Sequence, residues 1–243
     1  MNQNIHQTAI TIGATIAPSA IIREYTIIRA GAEVGPDCVI NPFCVIEPGV
    51  KLGSGVEVFP SCHIGKPPSA TAALARQPQF DLKVDISDNC SIGPNAVIYY
   101  DVEIGSGTLI GDGASIRENC RIGSNCIIAR QVTINYNAKV GDRTKIMDLS
   151  HITGNSTIGD DVFISLLVGM TNDLLTKNFS YSEDKVMGPT IENGTTVGAG
   201  AMLLPGVTLR EKSVVAVGSV VNRDVEAGST VAGSPARRVM GQG

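Results

Sequence analysis

An aliphatic residue recurs at every sixth position of this chain through three long blocks. The first runs Ile10, Ile16, Ile22, Ile28, Val34, Ile40, Ile46, Leu52, Val58, Ile64. The second keeps the same step from Ile86 to Ile164, and the third comprises Ile191, Val197, Leu203, Leu209, Val215 and Val221. An amphipathic helix repeats at about 3.6 residues and a half-buried strand at about two, so a sustained period of six marks a hexapeptide β-solenoid. The remaining positions of the hexad agree. Four residues after each aliphatic of the second block stands a small side chain, from Cys90 and Ala96 to Val162 and Val168, and the residue before it is Asn, Gly or Asp in 10 of 14 cases. Those types accept the left-handed backbone that a tight corner needs. Three hexads close one triangular coil of 18 residues, so the pattern predicts an all-β, single-domain chain of about ten coils. At roughly 4.8 Å per stacked strand the prism is on the order of 48 Å long.

The pattern breaks twice. Ile64 to Ile86 spans 22 residues, about 16 more than one hexad, and Ile164 to Ile191 spans 27, about 21 more. These breaks predict inserted loops over about 65–85 and 169–190. In the first, Ser69 and the Ala-rich run to Arg76 predict a short capped helix, with Phe80 and Leu82 packing the loop down. Long loops on a regular scaffold are where function concentrates.

Stacking locates the candidate chemistry. Residues 18 apart lie one above the other, which puts His151 one coil below Gly169, where the second loop is expected to depart. His151 precedes Ile152 and therefore points outward, as a proton acceptor or substrate contact. His63 precedes Ile64 in the same way, beside the first loop; His6 lies before the repeat. Toward the C-terminal end, Val197-Gly198-Ala199-Gly200-Ala201 and, about one coil higher, Val217-Gly218-Ser219 present an outer surface nearly free of side chains. An extended amide-bearing chain fits against such a backbone, and Arg223, Arg237 and Arg238 gather guanidinium forks for phosphates at the end. Together they suit a phosphorylated pantetheine carrier.

Composition changes the picture little. Trp is absent and aromatics are 4%, which suits a narrow prism lined by Ile and Val. A formal charge of −4 gives no reason to expect nucleic acid or an anionic membrane. Without a long apolar run or a basic leader, the chain is expected to be cytoplasmic. All six cysteines occupy the small corner position. Cys44 and Cys62 stack on neighbouring coils, but a reducing compartment disfavours a disulfide there.

The closing segments Gly198-Ala-Gly-Ala-Met-Leu-Leu-Pro-Gly-Val, Val217-Gly-Ser-Val-Val-Asn-Arg-Asp-Val and Val231-Ala-Gly-Ser-Pro-Ala-Arg-Arg resemble the hexapeptide acyltransferase superfamily. The resemblance covers residues 10–238. It implies a left-handed parallel β-helix, an acetyl-CoA-binding end over about 191–238, and a homotrimer with active sites between prisms. Ile64-Gly65-Lys66-Pro67-Pro68 and Thr171-Asn172-Asp173 are most similar to N-acetyltransferases of nucleotide-linked amino sugars, such as a dTDP-3-amino-3,6-dideoxyhexose. That similarity implies that His63, Lys66 and Thr171 meet the substrate, and that Asn172 and Asp173 position its amine beside His151. Gly198, Ala199, Gly200, Gly218, Ser219, Arg223, Arg237 and Arg238 then hold acetyl-CoA, and no metal is called for. Leu149, Leu166 and Leu167 depart from the polar corners usual below the second loop. The competing readings are an O-acyltransferase of the sugar-nucleotide or lipid A type and a non-catalytic solenoid scaffold. A three-histidine metal enzyme is disfavoured, because His6, His63 and His151 are 57 and 88 residues apart.

Overall fold

The structure, a computed structural model, describes residues 4–173 and 186–239. Strands of two to four residues assemble into three sheets of ten, twelve and ten strands. Each coil gives one strand to each sheet, and partners lie 18 residues apart: Ile92 pairs with Ile110, Ile110 with Ile128, and Ile128 with Ile146. The chain is a left-handed parallel β-helix of ten full coils and part of an eleventh. The sheets are called first, second and third after their lowest strands, Thr15–Ile16, Ile21–Ile22 and Ile27–Ile28.

Two-residue strands leave one side chain outside and one inside. The inner row is the six-residue aliphatic series, buried from Ile22 through Val221, with Val225 and Val231 buried beyond it off the six-residue step. Ile10 is 55% exposed because no coil lies beneath it to seal it. At the other end Thr230–Ala232 pairs antiparallel with Arg237–Arg238 and closes the prism. All fourteen corner positions read from the second block have positive φ, including Leu149 at 61° and Leu167 at 58°. Corner carboxylates then bind the coil below: Asp142 Oδ1 accepts from Ser124 N at 2.8 Å, and Asp160 Oδ1 from Asp142 N at 2.8 Å.

Both interruptions leave the edge between the third and first sheets. The strand His63–Lys66 runs past its guide residue, and pairing resumes where Leu52 meets Ile86. No helix forms between 67 and 83, and Ser69 is exposed and caps nothing. Pro67, Pro68 and Pro78 bracket a run too short to nucleate one. Phe80 packs as expected, stacked on Tyr100 at 6.0 Å, whereas Leu82 is turned to solvent. The second excursion begins later than the aliphatic series suggests. Met170 fills the guide position, fully inside, and pairs with Leu203. Ile158 therefore pairs with Ile191, 33 residues on, so about 15 residues are inserted and not 21. A flexible thioether fills an aliphatic slot well. The middle of this loop, 174–185, lies outside the described residues.

All six cysteines are buried and free, Cys44 and Cys62 included. Burial pushes the Cys120 thiol up to about 12, so it stays protonated. Among the described residues no helix is long and apolar enough to cross a membrane.

Candidate active site

The outer face of the third sheet carries one register of side chains: His63, Val97, Ser115, Thr133, His151, Gly169, Met202 and Val220. His151 and Gly169 are neighbours, as the stacking of the sequence requires. The His151 ring is half-buried, and its Nδ1 lies 2.7 Å from the Thr133 hydroxyl one coil below. Burial holds its pKa below the ordinary 6.5, so the ring is neutral at physiological pH. Among the described residues no carboxylate pairs with it.

The root of the second excursion is fastened next to this histidine. Thr171 N donates to Leu203 O at 3.1 Å. Asn172 Nδ2 donates to Gly154 O at 3.2 Å, and Asn172 O accepts from Met187 N at 2.9 Å. Asp173 follows this anchored pair. Among the described residues its carboxylate has no hydrogen-bond or ion-pair partner. His63 and Lys66 are on the same face but four coil steps lower, about 19 Å from His151. There His63 Nε2 meets Glu47 Oε1 at 3.1 Å, and Glu47 Oε2 meets Arg29 Nε at 2.8 Å.

The edge between the second and third sheets forms the bare strip. A Cβ on Gly198 would strike Val217 N at 2.6 Å, so the coils close on each other there. Gly200 and Gly218, both at φ 67°, would meet nothing within 4 Å and leave backbone open to solvent. Gly198, Gly200 and Gly218 spend their N–H groups on Val215, Leu166 and Ala199 carbonyls. The N–H groups of Ala199 and Val217 take part in no hydrogen bond among the described residues. Ser219 is fully buried, its Oγ accepting from Gly233 N at 3.2 Å, so its hydroxyl is not part of the strip. Below the strip the same edge exposes Leu149, Leu166 and Leu167. Arg223, Arg237 and Arg238 share the rim of a cavity of about 190 Å³ at the closed end, together with Asp224 and Glu226.

The opposite edge is polar. Arg76 of the first excursion reaches 42 residues along the chain to Glu118, which is fully buried and also takes Arg117 Nε at 2.8 Å. The Arg76 guanidinium lies 3.7 Å over the Tyr136 ring, and Asn119 Nδ2 donates to Gln79 O at 2.6 Å. A cavity of about 350 Å³ remains, walled by Arg76, Gln77 and Gln79 on one side and by Tyr136, Asn155 and Val186 on the other. Both excursions thus contribute to it. Thr133 follows from His151 by the 18-residue step and was within reach of sequence reasoning. The Arg76–Glu118 pair left no periodic signal.

The family model described as the hexapeptide repeat of succinyl-transferase matches residues 190–223, and that of the GMPPB C-terminal domain matches residues 79–187. Over 47 residues the chain is 53% identical to a 2,3,4,5-tetrahydropyridine-2,6-dicarboxylate N-acetyltransferase of Clostridium perfringens, covering 19% of this chain and 20% of that one. A Staphylococcus aureus protein of the same description is 45% identical over 47 residues, with the same coverage. The chain therefore spans about a fifth of the length of the curated relatives it matches. Among solved structures, an Arabidopsis UDP-N-acetylglucosamine acyltransferase superposes with a TM-score of 0.52 at 19% identity, over 97% of this chain and 73% of that one. The fold is common to both, and the resemblance to hexapeptide-repeat acyltransferases stands.

Proposed function

We propose that this hexapeptide-repeat β-helix is an acetyl-CoA-dependent N-acetyltransferase whose acceptor is the amine of a nucleotide-linked amino sugar, of the 3-amino-3,6-dideoxyhexose kind. One observation carries the reading. His151 stands on the third sheet, with a bare backbone edge on one side and the edge bearing both excursions on the other. The bare strip is level with Met202, two coil steps or about 10 Å above His151. An extended pantetheine arm descending that edge brings its thioester to the histidine.

In this reading the amine nitrogen attacks the thioester carbonyl carbon, and a tetrahedral oxyanion forms. The carbon–sulfur bond then breaks, and CoA leaves as its thiolate. The N–H groups of Ala199 and Val217, two and three coil steps above His151, support the pantetheine arm. Asn172 and Asp173 hold the amine, and neutral His151 takes the proton that the nitrogen sheds, which the leaving thiolate finally receives. A neutral amine is already nucleophilic, so an imidazole without a carboxylate behind it is sufficient. Acylating a hydroxyl asks for a stronger base. The imidazole that has a carboxylate behind it, His63 with Glu47, lies six coil steps below Met202, far from the strip. This favours the N-acetyl over the O-acyl reading. The exposed leucines beside the strip suit a neighbouring prism completing the cleft in a homotrimer.

The test is thiol release from acetyl-CoA with a panel of nucleotide-linked amino sugars, with the hydroxyl analogues as controls. Release is expected with the amines alone. No release, together with no thermal stabilisation by acetyl-CoA, rejects the proposal in favour of a scaffold.

A further inference from the structure

We infer that Lys66 and Arg117, set around the ring of Tyr99, form a binding site for a phosphate or diphosphate group. The site deepens the acyltransferase reading by naming the charged handle of the acceptor, and it rests on that reading only for the identity of what carries the handle. Lys66 Nζ lies 4.3 Å over the Tyr99 ring and donates to its hydroxyl at 3.0 Å. The Arg117 guanidinium stands 5.1 Å from the same ring. The backbone is built to put Lys66 there. Gly65 has a φ of 85°, and a Cβ on it would strike Glu47 Cβ at 2.8 Å and Val50 Cγ2 at 2.9 Å. Strand register slips between Ile98 and Tyr99, so that Tyr99 pairs with Lys66.

The charges do not balance. Buried Glu118 is shared by Arg76 and Arg117, and among the described residues no carboxylate lies within ion-pair reach of Lys66. The nearby Glu47 is already engaged by Arg29 and His63. Two guanidiniums therefore share one carboxylate and Lys66 has none, a local excess of two positive charges in a chain whose formal charge is −4. Lying 4.3 and 5.1 Å from one ring centre, the ammonium and the guanidinium are within about 9 Å of each other, and together they are a donor set that phosphate oxygens accept. Three coil steps of one sheet separate Tyr99 from His151, about 14 Å. An anion seated here is a handle and not the reacting end.

The experiment is calorimetric titration of the full chain at low salt with CoA saturating, which occupies the terminal arginines. The probes are inorganic pyrophosphate, a nucleoside diphosphate set (dTDP, UDP, GDP) and a hexose 1-phosphate. Pyrophosphate is expected to bind, more weakly as salt rises, and Lys66→Gln to weaken it about tenfold with CoA affinity unchanged. Arg117→Gln should act likewise; Lys66→Gln is the cleaner variant because it leaves Glu118 paired. Nucleoside diphosphates binding more tightly than the hexose phosphate assign the handle to a nucleotide, and the reverse order assigns it to a sugar phosphate. Either order supports the site. Absence of pyrophosphate and nucleoside diphosphate binding, or binding indifferent to Lys66→Gln, overturns it. Lys66-dependent anion binding in a protein that neither binds CoA nor releases thiol would sink the acyltransferase reading and leave this site standing.

Discussion

The Nδ1 of His151 and the hydroxyl of Thr133 meet at 2.7 Å across one coil. Among the described residues this is the ring's one hydrogen bond, so Thr133 orients the imidazole and, with it, the second ring nitrogen. Thr133→Val keeps the volume and removes the bond. Steady-state kcat/KM for acetyl transfer should fall by roughly 2- to 13-fold, matching about 0.5–1.5 kcal/mol for one hydrogen bond. Binding of acetyl-CoA should be unaffected.

The depressed pKa of His151 has two consequences with a definite sign. The base is already neutral at 6.5, so activity should persist on the acid side of that value. The native state also binds the proton less readily than the unfolded chain. Stability is therefore full above about 6.5 and declines as pH falls from there toward the lower native value. In His151→Gln this decline should flatten, as followed by thermal melts across pH 5–8. An unchanged slope would mean that burial of this ring does not govern the acid limb.

Side chains grown on the bare strip should block the donor without unfolding the prism. Ala199→Phe is the chosen change, because Ala199 is on the strip yet lacks the positive φ of Gly200. The melting-point rise produced by saturating acetyl-CoA should disappear, while the melting point of the free protein moves little. A rise equal to wild type places the donor elsewhere.

The buried carboxylate under the first excursion is expected to hold it closed. Glu118→Ala removes the partner of both Arg76 and Arg117 and leaves two cations facing low-dielectric surroundings. A cost of about 3 kcal/mol follows from breaking a buried pair. Limited proteolysis should then cut between residues 67 and 83 well before the coils.

Core truncation reads the solenoid itself. Ile128 is fully buried in the stack between Ile110 and Ile146. Ile128→Ala should cost about 2–5 kcal/mol by urea unfolding.

Most of the fold was legible because every coil repeats the same local choice. The guide aliphatics and the corner residues with positive φ are determined six residues at a time, and Leu149 and Leu167 take the left-handed corner although neither favours it. The misreadings occurred where one residue departed from type. Met170 concealed a strand, and the alanines after Ser69 suggested a helix that flanking prolines and the pull of Glu118 prevent. The outward aim of His151 and its place under Gly169 were readable from 18-residue stacking. The wide spacing between His151 and the pair His63 and Lys66 was readable by the same step. Proximity of each pair to a loop hid it. The burial of Ser219 was missed because a Gly-Ser dipeptide looks open, whereas the serine takes the inner corner.

Because both excursions spring from one edge, from Lys66 and from Met170, the gap between their roots is quantised. It measures five rungs, about 24 Å, and it can lengthen or shorten only by a rung of roughly 4.8 Å. Point substitutions leave that distance alone. Excising or duplicating one 18-residue turn between them would reset it in a single stroke, which makes the prism a ruler for the distance between the two roots.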